Sequence, residues 1–299
     1  MKNKKWLVFA LVTTLSWGLW GALTGAYADP SIPSTMVYAI WAFTMIIPCL
    51  IVLKLANWRF ETDQKSIALG CTIGFLGSGG QMLLFQVVTM GPSYIIFPIV
   101  SLSPIVTIGL SFLLLKERTR PLGAVGILLA LIALPLFEFS GGSDEASSGF
   151  AWFAMTLCVM AAWGIQAYFM KVSNNHMSAE GIFVYMTITG LMLLPVAYLM
   201  TDFSQTINLS IETIAKTGAI QILNAIGALC LVFAFRYGKA IVVSPLTNAG
   251  APLITTVLAI VLIGDIPATS KIIGIVLAIT AAVILSLEPQ DTLQESVKK

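Results

Sequence analysis

The chain has 299 residues, of which 58% are hydrophobic and only 10% are charged, and its net charge at pH 7 is +2. Soluble domains carry about 25% charged residues, so this composition excludes a soluble globule, and its high hydrophobicity excludes a disordered chain. A nearly neutral chain offers no basic face for phosphates, so no nucleic-acid partner is expected. The composition predicts a protein that crosses the lipid bilayer many times.

Ten apolar runs are long enough to cross a bilayer, for which a helix needs about 20 mostly apolar residues. Short segments with charges, Pro, Gly or Asn and Asp separate them and leave no room for a folded domain outside the membrane. The sequence therefore predicts an all-α, polytopic membrane protein with ten transmembrane helices. Their approximate limits are 6–27, 34–53, 66–89, 92–115, 121–138, 149–170, 180–200, 213–236, 240–263 and 270–287.

The basic residues predict the orientation of these spans. If the N-terminus lies in the cytoplasm, fourteen of the 16 Lys and Arg residues fall in cytoplasmic segments, and only Lys216 and Lys271 fall outside. Lys and Arg favour the cytoplasmic side of a membrane. We therefore expect a multi-pass protein of the cytoplasmic, or inner, membrane with both termini in the cytoplasm.

The two halves of the chain are similar to each other at an offset near 147 residues. Trp17-Gly18 matches Trp163-Gly164, and four of the five residues in 126–130 are repeated in 274–278. Each half contains five spans, an odd number, so the second half must enter the membrane from the opposite side. The sequence predicts two inverted five-helix repeats, at 1–140 and 149–288, followed by a cytoplasmic tail at 289–299. The matched prolines are Pro48 and Pro195, Pro98 and Pro245, and Pro104 and Pro252.

These features resemble the drug/metabolite transporter superfamily, and specifically its EamA-type members with ten spans. The resemblance rests on Trp-Gly in the first span of each half and on a Pro-bearing fourth span that ends in an acid before a Gly-Ile-Xaa-Leu-Ala fifth span. Its most specific part is the stretch 97–107 followed by 115–118, whereas Asp265 stands where such proteins usually carry Glu. The resemblance implies a basket of helices around a central cavity, lined mainly by spans 1, 3, 4, 6, 8 and 9, and transport by alternating access.

Uncharged side chains are the candidates for solute binding, because no ionisable residue lies in the middle of a predicted span. An amide in hydrocarbon must face another helix or a wet cavity, and a Trp at mid-depth is too deep to be an interfacial anchor. Packing between helices is the alternative for each of them. The candidate residues are Trp17, Trp20, Ser78, Gln81, Ser101, Trp163, Gln166, Asn224 and Asn248.

Four prolines inside spans 4 and 9 remove backbone hydrogen bonds and predict bends, at the pocket or at a gating hinge. Ser101 follows Pro98 by three residues, and Asn248 follows Pro245 by three residues. We therefore expect Ser101 and Asn248 to approach the cavity from opposite halves. The alternative is that Ser101 bonds to its own helix and Asn248 to a neighbouring span. Glu117 and Asp265 are expected to cap or anchor helix ends. The four prolines are Pro98, Pro104, Pro245 and Pro252.

These patterns favour a secondary transporter, working as an exporter, for a small neutral or zwitterionic solute that resembles an amino acid. Uptake of a sugar or related solute by a permease of the same superfamily is the alternative. An intramembrane enzyme would need a nucleophile with its base, paired carboxylates or a metal cluster at membrane depth, and the sequence indicates none. No cofactor or metal site is predicted. The expected partners are the solute and the lipid bilayer, and the oligomeric state stays open.

Overall fold

The computed structural model describes residues 4–27, 29–88, 90–91, 93–138, 151–204, 206–263 and 268–289. The regular secondary structure of these residues is entirely α-helical. The helices are α1 (Lys5–Tyr27), α2 (Ser34–Thr44), α3 (Ile46–Leu55), α4 (Gln64–Val88), α5 (Ser93–Ser101), α6 (Ser103–Leu113), α7 (Pro121–Glu138), α8 (Ala151–Ser173), α9 (Ala179–Met192), α10 (Leu194–Leu199), α11 (Ile211–Tyr237), α12 (Ala240–Ile263) and α13 (Thr269–Ser286).

The thirteen helices of the described residues form ten spans, because three spans are each divided into two shorter helices. Nine of these described spans are long and apolar enough to cross a membrane, and the tenth, α7, is a shorter apolar helix. The observed limits agree with the predicted limits to within three residues. The chain is an all-α, polytopic membrane protein, as its apolar runs predict.

Two of the divided spans are broken just before a proline. The second span is broken at Met45, three residues before Pro48, and the seventh is broken at Leu193, two residues before Pro195. Proline has no N–H group to bond to the carbonyl four residues earlier, which loosens the preceding turn. Because these prolines are matched by the repeat, the two halves are interrupted at equivalent places.

The two spans that contain paired prolines differ from each other. The fourth span is divided at Leu102, between Pro98 and Pro104, into α5 and α6. The ninth span, α12, is one helix that contains both Pro245 and Pro252. The repeat therefore preserves the positions of the prolines, but only the fourth span is divided into two helices. A hinge at either span stays a prediction.

The two halves of the chain are interleaved. The first span of the first half, α1, packs against α11 and α12 of the second half. The first span of the second half, α8, packs in the same way against α4, α5 and α6 of the first half. We call these groups the α1 bundle (α1, α11 and α12) and the α8 bundle (α4, α5, α6 and α8). The last span of each half, α7 and α13, pack against each other.

The helix ends that carry most of the basic residues lie together, and we call this the basic end. Lys171 in the last turn of α8 bonds to the carbonyl of Gly238, which follows α11, and Lys239 bonds to the carbonyl of Arg118, which follows α6. The other helix ends form the opposite end, where the hydroxyls of Thr35 and Thr201 lie 2.8 Å apart. This is the arrangement that ten successive antiparallel spans require.

The helices pack more closely at the basic end than at the opposite end. All residues in 181–187 of α9 and in 240–247 of α12 are buried, and both segments lie near the basic end. None of the residues in 211–220, which begin α11 at the opposite end, is buried, and Ile211 is 88% exposed. The helices are thus closed around each other mainly at the basic end.

Candidate functional site

Two tryptophans join the helices that cross near the centre of the molecule. Trp17 Nε1 donates a hydrogen bond of 3.2 Å to the carbonyl oxygen of Asn224, which links α1 to α11. Trp163 Nε1 donates a bond of 3.2 Å to the carbonyl oxygen of Gly77, which links α8 to α4. The two tryptophans are 146 residues apart and the two acceptors are 147 apart. The matched tryptophans therefore make equivalent bonds in the two bundles.

Each of these indole rings lies against a glycine of the facing helix. A Cβ atom at Gly80 would lie 2.6 Å from Trp163 Nε1, and a Cβ atom at Gly227 would lie 2.5 Å from Trp17 Nε1. Small residues allow such a close approach between membrane helices. The two glycines are 147 residues apart, so the repeat matches both the indole and the space that receives it.

A second pair of matched bonds joins the first span of each half to a proline-bearing span of the other half. Thr255 Oγ1 on α12 donates to the carbonyl of Gly18 at 3.0 Å. Thr107 Oγ1 on α6 donates to the carbonyl of Gly164 at 3.0 Å. Each bundle is thus held together by its own bonds between side chains and backbone.

Within the α1 bundle, three of the predicted binding residues lie together. Trp20 Nε1 donates to Gln221 Oε1 at 3.1 Å, one turn from the contact between Trp17 and Asn224. That contact uses the backbone oxygen of Asn224, so its half-buried side-chain amide remains available. Gln221 itself is only 4% exposed. Aromatic rings and amides are therefore combined on one face of this bundle.

Within the α8 bundle, Trp163 and Gln166 face α4. A Cβ atom at Gly77 would overlap the side-chain amide of Gln166, so this amide lies directly against the backbone of α4. Both Trp163 and Gln166 are half-buried. Because Gly77 also accepts the indole bond of Trp163, these two side chains and α4 form one polar contact region that matches the one in the α1 bundle.

The three- and four-residue spacing of Gly77, Ser78 and Gln81 predicts that they share one face of α4, but Gly77 and Ser78 face different helices. Gly77 and Gly80 face α8, whereas Ser78 is buried at 3% exposure on the side of α9. Ser78 Oγ lies 3.6 Å from the position that a Cβ atom would take at Gly190 of α9. Gln81 is half-buried and follows these residues by one turn. Ser78 is therefore separated from the contact region around Trp163.

Ser101 and Asn248 each form a hydrogen bond within their own span. Ser101 Oγ donates to the carbonyl of Pro98 at 2.8 Å, and Asn248 Nδ2 donates to the carbonyl of Ser244 at 2.9 Å. Both side chains are half-buried. Ser101 thus adopts the bond that the sequence offered as its alternative, and Asn248 bonds to its own helix rather than to a neighbouring span. Their approach to the cavity stays a prediction.

Trp41 on α2 belongs to this central region and is missing from the sequence prediction. Its ring lies 5.3 Å from that of Tyr38, whose hydroxyl donates to the carbonyl of Gly190 at 2.8 Å. The Nε1 atom of Trp41 is buried and has no hydrogen-bond partner among the described residues. Trp41 is the eighth of the 22 residues of its span, whereas Trp17 and Trp163 lie near the middle of theirs, so the depth that selected those two did not select Trp41.

Because the N–H group of Trp41 is unpaired among the described residues, replacing Trp41 by Phe should affect stability less than replacing Trp163 by Phe. Trp41→Phe should leave the thermal midpoint unchanged or raise it, because it removes a buried donor that makes no bond. Trp163→Phe should lower the free energy of unfolding by about 0.5–1.5 kcal/mol, because it removes the bond to Gly77. Thermal unfolding of both variants in the same detergent tests this, and an equal loss in both would contradict it.

Charged side chains lie at the helix ends of the described part of the chain. His176 Nε2 lies 3.2 Å from Asp63 Oδ1 and joins the loop before α9 to the start of α4. Hydrogen bonds from Ser66 and then from His176 hold the pKa of Asp63 below its usual value. The central contact regions are consequently built from uncharged groups.

Comparison with known proteins identifies the family. A model of the EamA-like transporter family matches residues 4–137 and again residues 150–287, so it covers each half in turn. An uncharacterized protein of Methanocaldococcus jannaschii is 34% identical over 95 residues, which are 32% of this chain and 69% of that protein. A solved crystal structure has a similar fold, with a TM-score of 0.75 and 17% identity over 94% of this chain and 98% of the other. The chain therefore belongs to the EamA-like transporter family, within the drug/metabolite transporter superfamily, and is a multi-pass membrane transporter.

Proposed function

We propose that the chain is a secondary transporter that exports a small neutral or zwitterionic, amino-acid-like solute across the cytoplasmic membrane by alternating access. The observation that carries this proposal is the pair of matched contact regions. In each of them a central tryptophan lies beside an available amide, Asn224 in one bundle and Gln166 in the other. Indole faces stack against planar or apolar parts of a solute, and amides bond to its polar groups.

The chemistry of these regions favours a solute without net charge. Tryptophan, Gln and Asn supply donors, acceptors and ring faces, but no full charge to balance an anion or a cation. A multiply charged solute would lose its hydration without a compensating partner, which is costly in a low-dielectric site. A neutral solute avoids that cost, and in a zwitterion the two opposite charges partly compensate each other.

The interleaved bundles supply the moving parts for alternating access. Trp17 and Thr255 fix α1 to the rest of its bundle, and Trp163 and Thr107 do the same for α8. Two such units, related by an inverted repeat, exchange conformations by rocking about the site between them. We propose the repeat limits 1–140 and 149–288, with a tail at 289–299. Ser78, Gln81, Ser101 and Asn248 remain proposed contributors to the site from α4, α5 and α12.

A thermal-shift screen tests the class of solute. A ligand that binds only the folded protein raises its apparent stability. We expect an amino acid to raise the midpoint of the purified protein, with sugars and nucleosides as the comparison sets. Stabilisation by sugars alone would contradict the amino-acid proposal and would favour the uptake permease instead.

The proposed orientation predicts where two tags are accessible. If the basic end faces the cytoplasm, a tag at the C-terminus is protected in intact cells, and a tag at Ser143, which lies outside the described residues, is accessible from outside. Labelling with a membrane-impermeant reagent before and after permeabilisation measures both. A cytoplasmic Ser143 would contradict the topology and the inverted repeat together.

A further inference from the structure

A charged cluster joins the two bundles at the basic end, away from the proposed solute site. Lys171 Nζ lies 4.0 Å from Glu117 Oε1, and the two side chains are only 13% and 7% exposed. Lys171 also donates to the carbonyls of Phe235 at 3.0 Å and Gly238 at 2.5 Å, where α11 ends. Glu117 Oε2 accepts a bond of 3.1 Å from the N–H of Ile241, in the first turn of α12.

This ion pair complements the ends of two helices in the other bundle. Carbonyl groups at a helix C-terminus attract a cation, and N–H groups at a helix N-terminus attract an anion. Lys171 in the last turn of α8 and Glu117 in the loop after α6 satisfy such groups of α11 and α12, which belong to the α1 bundle. Asn174 Nδ2 adds a bond of 3.0 Å to the carbonyl of Val232 on α11. We call Glu117, Lys171 and Asn174 the clasp.

The uncharged contacts at the two ends are matched by the repeat. At the basic end, a Cβ atom at Gly238 would lie 3.1 Å from the side chain of Trp6. At the opposite end, a Cβ atom at Gly91 would lie 2.7 Å from the side chain of Trp152. The tryptophans are 146 residues apart and the glycines are 147 apart. This Trp–Gly contact is therefore made at both ends, although the basic end is the more closely packed.

Among the described residues, the lysine of the clasp is not matched. The same offset of 146 residues that relates the tryptophans places Gly25 of α1 at the position equivalent to Lys171. A Cβ atom at Gly25 would meet no atom within 4 Å, so there is open space at this point of the opposite end. Lys171 consequently makes its charged contact between the bundles at the basic end, and the equivalent position at the opposite end holds a glycine.

We propose that the clasp sets the resting conformation of the transporter, with the basic end closed and the solute site accessible from the opposite end. Two identical halves in an inverted repeat would give two conformations of equal energy. A contact that exists in only one of them shifts the population toward it. The inference rests on the proposed function, because it uses the rocking motion of the two bundles.

The test measures distances between the bundles by electron spin resonance, without any solute, in lipid nanodiscs. Spin labels at Asn175 and Arg236, both exposed, report on the basic end, and labels at Met90 and Lys216 report on the opposite end. All four native cysteines are replaced by alanine in every sample. The variant Glu117→Gln/Lys171→Met removes both charges, because removal of one alone would leave the other buried and unpaired.

We expect a single short distance at the basic end of the parent protein. In the double variant, the ratio of long to short distances at that end should rise by about tenfold, with a shortening at the opposite end. The control Asp63→Asn/His176→Gln removes an exposed ion pair at the same end and should change neither distance. Unchanged distances in the double variant, or an equal change in the control, would overturn the proposal.

Two further outcomes keep the proposal and its premise separable. If the double variant does not fold, Glu117→Gln alone is used, because it retains an oxygen for the N–H of Ile241 and leaves Lys171 bonded to the carbonyls of Phe235 and Gly238. It should give a smaller shift in the same direction. No shift in that variant would also overturn the clasp. If the shift is present but purified protein moves none of the solutes that stabilise it, the clasp is supported and the proposed function is contradicted.

Discussion

Gly80→Ala should lower the free energy of unfolding by about 1–3 kcal/mol, because it forces a methyl group against a packed indole ring. A Cβ atom there would lie 2.6 Å from Trp163 Nε1 and 2.9 Å from Trp163 Cδ1. The ring is also held by its bond to the carbonyl of Gly77, so it has little freedom to move away. Thermal unfolding in detergent, followed by the loss of monodisperse protein, measures the change.

The neighbouring residue provides the matched control. A Cβ atom at Gly79 would meet nothing within 4 Å, so Gly79→Ala should leave stability unchanged or improve it by up to about 1 kcal/mol through helix propensity. Gly227→Ala should behave like Gly80→Ala, since Trp17 occupies the equivalent space. Similar effects at Gly79 and Gly80 would show that the indole contact does not determine the loss.

Asn224→Ala should lower the rate of solute transport about tenfold, which corresponds to the loss of one hydrogen bond of about 1.4 kcal/mol. Stability should change little, because the bond from Trp17 is made to the backbone oxygen, which alanine retains. We expect Asn248→Ala to weaken transport in the same direction, again with little effect on stability. Within the described part of the chain, its amide bonds to the carbonyl of Ser244 in its own helix.

Asn175→Ala serves as the control for these transport measurements. Asn175 is exposed in the loop before α9, so its substitution should affect neither transport nor stability. Loss of folding together with transport in Asn224→Ala would assign Asn224 to helix packing. Normal transport in a stable Asn224→Ala protein would remove it from the solute site.

The limits of the spans follow from the sequence because the bilayer imposes one length on every apolar run. The Trp-Gly pairs at 17–18 and 163–164 also predict equivalent positions, and the structure gives them equivalent bonds. The prolines that interrupt spans 2 and 7, Pro48 and Pro195, are visible in the sequence. The sequence comparison identified these two prolines only as matched positions. The breaks that they cause in the helices follow from the N–H group that proline lacks.

The identity of each helix's neighbours does not follow from the sequence. In a soluble protein the apolar stripe marks the buried face, but in a membrane every face of a helix is apolar. The spacing of Gly77 and Ser78 therefore did not reveal that they face different helices, α8 and α9. Trp41 lies nearer the end of its span than Trp17 and Trp163 do, so its depth did not distinguish it from an interfacial anchor. The sequence places Lys171 in a cytoplasmic loop, and only the structure shows its partners on α11.

Flux measured in proteoliposomes is the direct test of whether this protein transports a small uncharged or zwitterionic solute through a site that includes Asn224. The protein is reconstituted with the solute that stabilises it most in the thermal-shift screen, and movement of that solute is compared with empty liposomes and with Asn224→Ala at equal protein content. We expect saturable flux of an uncharged or zwitterionic solute, reduced about tenfold in the variant. Flux equal to that of empty liposomes for every stabilising solute, or undiminished flux in a folded Asn224→Ala protein, would contradict it.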